Sequence, residues 1–198
     1  MTIIESSTRD LLTQIVGRQA NRVPTDVSMA LLRSMSATEM VSTYRLTPAA
    51  AQRLAAALEL GKRASAEPLI RGAVLRGSTD VFRAFGSRMR DLKVEQFWAI
   101  HLDGKHRVQH EHLVSQGTLT SSPVHPREVF SVAVRHSTAA LILCHNHPSG
   151  DPSPSADDLE ITHRLVQVGD TIGIRVADHV IIGDGSFVSL ADRGLMQT

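Results

Sequence analysis

Cysteine is almost missing from this chain: Cys144 stands alone among 198 residues. A single thiol excludes an internal disulfide framework and any zinc module built on four cysteines, and it fits a reducing compartment. A zinc ion, if one is bound, must sit on histidine and carboxylate. An excess of charge is missing too. Lys and Arg number 21 against 20 Asp and Glu, a formal net charge of +1, so no general field attracts nucleic acid or a membrane surface. No stretch reaches the roughly 18 consecutive apolar residues of a membrane span. The opening MTIIESSTRDLLTQIVG carries acids and lacks a basic region before an apolar run, unlike a secretory signal. The expectation is a cytoplasmic protein with no membrane partner. No internal repeat or low-complexity tract is found.

What is present suffices for a real core: 42% of residues are hydrophobic and 21% charged, which suits one medium domain or one medium and one small. From Ser6 to Ala66 apolar residues recur at helical spacing: Leu11, Leu12, Ile15 and Val16, then Met29, Leu31, Leu32 and Met35, then Ala50, Leu54, Ala57 and Leu58. Residues 1–66 therefore read as a small all-α domain, with Thr47 as an N-cap and Pro48 at the first helical position. That segment holds 8 basic and 5 acidic residues, the remainder 13 and 15. Residues 67–198 form the second domain. Its first part, 67–93, reads as a connector with a helical stretch near TDVFRAFGSRMRDL, and Arg71, Arg76, Arg83, Arg88, Arg90 and Lys93 as a solvated linker face. Beyond it the period changes. VEQFWAIHLD, HRVQHEHLVSQ, AALILCHNH and RVADHVIIGD have the length and β-branched content of strands, while PREVFSVAVRHS and SADDLEITHRLVQVGDTIG read as helices. Strands and helices mixed in this way imply an α/β or α+β fold, a sheet covered by helices.

The chemistry concentrates in LILCHNHPSGDPSPSADDLE, Leu141 to Glu160. Side chains on a strand alternate faces, so His145 and His147 point to one side at the end of a buried strand, with Cys144 opposite as a core residue. A proline-stiffened loop leads to Ser155, which can cap a new helix. Asp158 then stands one turn in, within reach of both histidines. Ser155 and Asp158 also make an S-x-x-D capping box that needs no metal, and a His-x-His pair can be core or surface histidine. Capping and metal binding are compatible. Two histidines and one carboxylate would leave a fourth zinc position open for water, as in catalytic sites.

The run HNHPSGDPSPSADD resembles the signature of the RadC family, whose C-terminal domain is similar to the JAMM (MPN-type) metalloproteases with their pattern of H-x-H, seven residues, S-x-x-D. His145, His147, Ser155 and Asp158 fit that spacing without a gap. SQGTLTSSPVHPREVF and RVADHVIIGDGSFVSL extend the likeness over roughly residues 68–195. The resemblance implies a JAMM/MPN-like mixed sheet flanked by helices, one Zn2+ per chain on His145, His147 and Asp158, and a glutamate base on an earlier strand. The residues alone leave Glu95, Glu111, Glu128 and Glu160 open; matching VEQFWAIHLD to the family strand selects Glu95. The implied activity is metal-assisted hydrolysis of a peptide or isopeptide bond in a peptide or protein substrate, with Ser155 hydrogen-bonding the oxyanion. His125, Asp178 and His179 match RadC-like positions and would line the cleft or orient a ligand.

RadC-like proteins also resemble helix-hairpin-helix DNA-binding proteins in their N-terminal region, where a glycine-containing turn offers backbone N–H groups to phosphate. The equivalent stretch here is YRLTPAAAQRLAAALELGKR, with Arg45, Leu46 and Thr47 in place of the glycine turn. Their side chains obstruct close approach and weaken the DNA expectation, although Arg45, Arg53, Lys62 and Arg63 remain candidates for phosphate contacts. The alternative function is thus a DNA-associated repair or recombination module whose metal domain is a scaffold or binding site. A deaminase is excluded because P-C-x-x-C is missing. His101, His106, His110 and His112 cluster on two strands flanking a Gly-Lys turn, and His110 with His112 shares a face compatible with an adventitious metal site.

Overall fold

The computed structural model describes residues 5–65, 68–117 and 124–196. The chain divides into two compact units, Met1–Ser65 and Ala66–Thr198. Among the described residues no helix is long and apolar enough to cross a membrane.

The first unit is helical: α1 (Thr8–Val16), a 3-10 segment (Gly17–Arg22), α2 (Met29–Ser34), α3 (Ala37–Tyr44) and α4 (Pro48–Ser65). Ser7 with Asp10, and Ser36 with Glu39, form reciprocal capping boxes that satisfy the first amides of α1 and α3. Leu12, Val16, Leu32, Met40, Leu46, Ala50 and Leu54 supply the core. Met29 and Leu31, which the helical period nominated alongside Leu32, are 42% and 52% exposed. The reason is length: α2 has 6 residues, and so short a helix buries one narrow face.

The second unit is built on one five-stranded sheet in the order β2-β1-β3-β4-β5. The strands are β1 (Glu95–Leu102), β2 (Val108–Gly117), β3 (Ala140–Asn146), β4 (Arg175–Ile182) and β5 (Phe187–Ser189). β1 runs antiparallel to β2 and β3, β3 and β4 are parallel, and β5 returns antiparallel to β4. The helices α5 (Ser78–Met89), α6 (Pro126–Arg135) and α7 (Ala156–Ile172) complete the unit. α7 is the crossover that a parallel β3–β4 pair requires. Alternation along β1 sorts the two faces. Ile100 and Leu102 pack with Val81, Phe85 and Met89 of α5, while Phe97 and Ala99 pack with Val129 and Phe130 of α6 and Leu165 of α7. β3 is buried at every position, which is why it reads as an unbroken apolar run. The strand β5 was not among those nominated; with 3 residues it is too short to show a period.

The 67–93 segment differs from the linker expected of it. Val81, Phe85 and Met89 lie at helical spacing and are fully covered by the sheet. Arg88 is not solvated: its guanidinium makes two hydrogen bonds to the Glu111 carboxylate on β2, at 3.0 and 2.8 Å. The two side chains are only 11% and 7% exposed. Arg88 also lies over the rings of Phe85 and Trp98, 4.3 and 5.1 Å from their centroids, and Glu111 accepts the Leu69 amide at 2.6 Å. This pair pins α5 to the edge strand.

Removing one partner of such a pair strands a buried charge, at a cost of about 3–5 kcal/mol. Glu111→Ala should lower the stability of this unit by about that amount, followed through the fluorescence of Trp98, the one tryptophan in the chain. Arg88→Met with Glu111→Leu should return most of the loss, and an unchanged unfolding midpoint in Glu111→Ala would contradict this role.

Candidate metal centre

His145 is the penultimate residue of β3, and Cys144, one residue earlier, points to the opposite face against Met89. The loop that carries His147 onward folds tightly over the end of β4. The Asp184 amide donates to the Gly150 carbonyl at 2.8 Å, and Gly150 takes φ +85°, a conformation glycine adopts without strain. A Cβ on Gly183 would stand 2.3 Å from that same carbonyl oxygen, so the close packing requires a glycine there. The loop ends at Ser155, which caps α7 in a reciprocal box with Asp158.

These elements bring three side chains together. His145 Nε2 lies 3.1 Å from Asp158 Oδ1, His147 Nε2 lies 3.3 Å from Asp158 Oδ2, and the two Nε2 atoms are 3.0 Å apart. Behind them the hydrogen bonds decide where the ring protons sit. The Thr162 hydroxyl donates to the Asp158 carbonyl oxygen at 2.5 Å, so it accepts from His179 Nδ1–H at 2.6 Å. His179 Nε2 then has a lone pair to accept from His145 Nδ1–H at 2.7 Å. His147 Nδ1–H donates to the Asp151 carbonyl at 2.7 Å. While both rings are neutral, the two Nε2 atoms consequently aim lone pairs at one point beside a carboxylate. Such a point could hold a cation, and the residues present fit a metal ion. Among the described residues, His145, His147 and Asp158 form the group whose ligand atoms lie within 4.8 Å of one another.

The titration behaviour agrees. Burial opposes ionisation of Asp158, but hydrogen bonds from His145, His147 and Ser155 outweigh it and hold the carboxyl well below its usual range. His147 is raised by its bond to Asp158, against burial, with further support from the Asp151 carbonyl and from Glu95. His179 is pushed well below its usual value by burial and by the neighbouring His145, which keeps it neutral and able to accept.

The remaining nominated residues fall into two groups. Glu95 opens β1. Phe97 pairs with His145 in the β1–β3 register, and Glu95 shares its face with Phe97, so it stands toward His147. The Ser155 hydroxyl donates to Asp158 Oδ2 at 2.7 Å, so in this geometry it supports a ligand. His179 lies behind the cluster, hydrogen-bonded to His145. Asp178 does not line the site: its neighbour His179 faces the cluster, and adjacent strand residues face opposite ways. Its carboxylate accepts from Ser189 Oγ, the His179 amide and the Ala191 amide and braces the turn after β5. His125 caps α6, accepting from the Arg127 amide at 3.2 Å, and makes no recorded contact with the cluster. The TLTSSP part of the motif, residues 118–123, lies outside the described residues. Arg45, Arg53, Lys62 and Arg63 belong to the first unit. Arg45 takes a left-handed conformation at the end of α3 with φ 52°, Arg53 Nε donates to the Ile15 carbonyl at 3.1 Å, and Arg63 pairs with Glu59 at 2.8 Å. Lys62 stands beside Arg63 in the last turn of α4. The Thr47 amide in the hairpin turn is occupied by Gln19 Oε1 at 2.8 Å.

Two contributors escaped the sequence reading. Asn146, 1% exposed, accepts the Gln96 amide at 2.9 Å and donates to the Val94 carbonyl at 3.2 Å, fixing both residues that flank Glu95. Thr162 closes the chain of hydrogen bonds behind His145. Asn146 lay within the motif, between the two histidines; Thr162 carried no signal beyond its place one turn after Asp158.

A family model described as the RadC-like JAB domain matches residues 75–195. The chain belongs to the RadC family. The RadC match encloses Glu95, both histidines, Ser155 and Asp158. Among RadC relatives, a UPF0758 protein of Geotalea uraniireducens is 42% identical over 202 residues, 96% of this chain and 89% of that protein. Others, from Syntrophotalea carbinolica and Symbiobacterium thermophilum, are 47% and 50% identical over 165 residues, each 83% of this chain and 73% and 69% of those proteins. Their name specifies no activity.

Thr162→Val and His179→Gln should each weaken divalent-metal binding by about 10–100-fold, measured by chelator competition; unchanged affinity would remove the orienting role. Because His147 must shed its proton to bind, and its pKa is raised, affinity should fall as pH drops through that raised value, by about tenfold per pH unit per proton released.

Proposed function

We propose that this RadC-family protein is a zinc-dependent metallohydrolase of the JAMM type that cleaves a peptide or isopeptide bond with an activated water. The observation that carries the reading is the convergence of the His145 and His147 lone pairs on the Asp158 carboxylate, with Glu95 on the side of His147. Two histidines and one carboxylate are the ligand set of open zinc sites, which keep a fourth position free. Zinc supplies Lewis acidity there, lowering the pKa of a water from about 15.7 toward about 7.

The chain's own residues do the rest. His145 and His147 present Nε2 in the required tautomer because His179 and the Asp151 carbonyl hold their Nδ1–H groups. Glu95 takes the proton of the attacking water and delivers it to the leaving amine. Asn146 anchors the backbone on both sides of Glu95 and so limits its travel. Ser155 keeps Asp158 in place; to serve an oxyanion, its hydroxyl proton turns from Oδ2 toward the substrate, while the Ser155 amide retains the carboxylate at 2.7 Å. The substrate class, a peptide or protein, follows the family resemblance. The DNA-associated alternative gains little, since the amide best placed for a phosphate, Thr47, is already engaged by Gln19.

The deciding experiment is elemental analysis followed by turnover on peptide and isopeptide panels. Wild type should carry zinc at this centre and His147→Ala with Asp158→Ala should lose it. Glu95→Gln should retain the metal and lose about 10²–10⁴-fold in turnover. A centre that cannot be loaded with zinc, or a Glu95→Gln variant as active as wild type, would overturn the proposal.

A further inference from the structure

A second cluster of imidazoles lies on the same sheet, away from the centre above. His101 on β1 pairs with His110 on β2, and Ala99 pairs with His112, so His101, His110 and His112 share the face that α6 covers. His136, the C-cap of α6, comes down beside them. Ring centroids are 5.6 Å apart for His101 and His110, 6.1 Å for His101 and His112, 6.1 Å for His101 and His136, and 4.7 Å for His110 and His136. A tetrahedral zinc with Zn–N near 2.0–2.1 Å places imidazole centroids roughly 5 Å apart, so these four pairs lie within about 1 Å of that spacing, although the ring nitrogens are not gathered within 4.8 Å of one another as the ligand atoms of the first centre are. The register sets the two centres apart. His101 pairs with Leu141 and Phe97 with His145, four strand residues or about 13 Å.

The hydrogen bonding of this group is incomplete in a particular way. His101 is fully buried, and its Nδ1 meets Thr138 Oγ1 at 2.9 Å, yet its Nε2 has no partner. His112 Nδ1 is likewise buried and unpartnered. A buried polar atom left without a partner is costly and calls for a physical reason. Imidazoles crowded together also repel one another whenever they are protonated. Burial and the neighbouring histidines push His101 down to about 3, and burial lowers His110 and His112 as well. For His101, His110 and His112 this lowering favours the neutral imidazole, the form that binds metals. Thr138 would fix His101 as hydroxyl and carbonyl partners fix metal-binding histidines elsewhere, holding Nδ1–H and freeing Nε2. Glu128 and Arg135 of α6 also act on His112, with opposite signs, and the carbonyl end of α6 favours a cation.

We propose that His101, His110, His112 and His136 form a second, all-imidazole site for a divalent transition metal, zinc foremost, that ties the edge strand β2 to β1 and to the end of α6. Imidazole ligands without carboxylate select zinc, copper or nickel over magnesium or calcium. His110 and His136 are exposed and stack on one another, so binding requires both rings to turn inward from that stack, and the ion has a direct path in from solvent. The site does not depend on the hydrolase reading.

The test uses the full chain with His147→Ala and Asp158→Ala, which empties the first centre, and equilibrium dialysis against zinc, with cobalt(II) as a spectroscopic probe. One zinc per chain should remain, and cobalt should give the visible bands of a four-coordinate nitrogen site. Adding His110→Ala with His136→Ala, both at exposed positions, should weaken that binding at least tenfold, and Thr138→Val should weaken it by about tenfold. In the otherwise wild-type chain, His110→Ala with His136→Ala should lower the total from two ions to one. Trp98 fluorescence checks that each variant is folded. A folded first-centre variant that takes up no zinc, or binding indifferent to His110→Ala with His136→Ala, would overturn the proposal.

Discussion

Three electron-rich groups, the Nε2 atoms of His145 and His147 and the carboxylate of Asp158, are held within hydrogen-bonding distance of one another and share no proton while both rings are neutral. Everything around them serves to keep that mutually repulsive arrangement in place. β3 buries His145 completely, the proline-containing loop returns His147 to the same face, and α7 delivers Asp158 from the opposite side. The cost of the arrangement falls on the fold, and it is recovered when a positive charge arrives.

The parallel pairing of β3 and β4 is what makes such delivery possible. A crossover helix between parallel strands starts near the carboxyl end of the first strand, where the last residues of β3 emerge. Ligands from the strand end and from the first turn of the helix therefore meet by topology. β1, antiparallel to β3, begins at this same end, so Glu95 is brought there without any special loop. Asn146 then stitches the two strand ends together. Phe97 stacks on His145 with centroids 5.9 Å apart and meets His179 edge-on at 5.2 Å, which leaves the ring pair little room to turn.

Much of this was legible in the amino-acid sequence because strong local rules govern it. The apolar run before His145, the alternation that puts His145 and His147 on one side, and the Ser155 cap follow from short-range chemistry. The helical period of TDVFRAFGSRMRDL was visible, but whether its basic residues were solvated was not. Arg88 finds Glu111 across 23 positions of chain, and only the β1–β2 register brings them together. Asp178 and His179 could not be separated without knowing which face of β4 each occupies. The relay through Thr162 depends on a helix and a strand meeting at atomic range, and nothing in a residue's own neighbourhood announces that. Likewise the grouping of His136 with three strand histidines required the end of α6 to land on them. Spacing put His110 and His112 on one face and grouped His101 and His106 with them, whereas the fourth ring of the group is His136.

Asp158 satisfies two demands with one carboxylate: its oxygens close the capping box of α7 and face both histidines. A glutamate at 158 would still complete a capping box, while its extra methylene would carry the carboxylate beyond the point where the two lone pairs meet. Drift at this position can therefore separate chemistry from architecture. A variant with glutamate here could keep the same helix and nearly the same motif while its three groups no longer met at one point, and the shape of the fold alone would not tell the two apart.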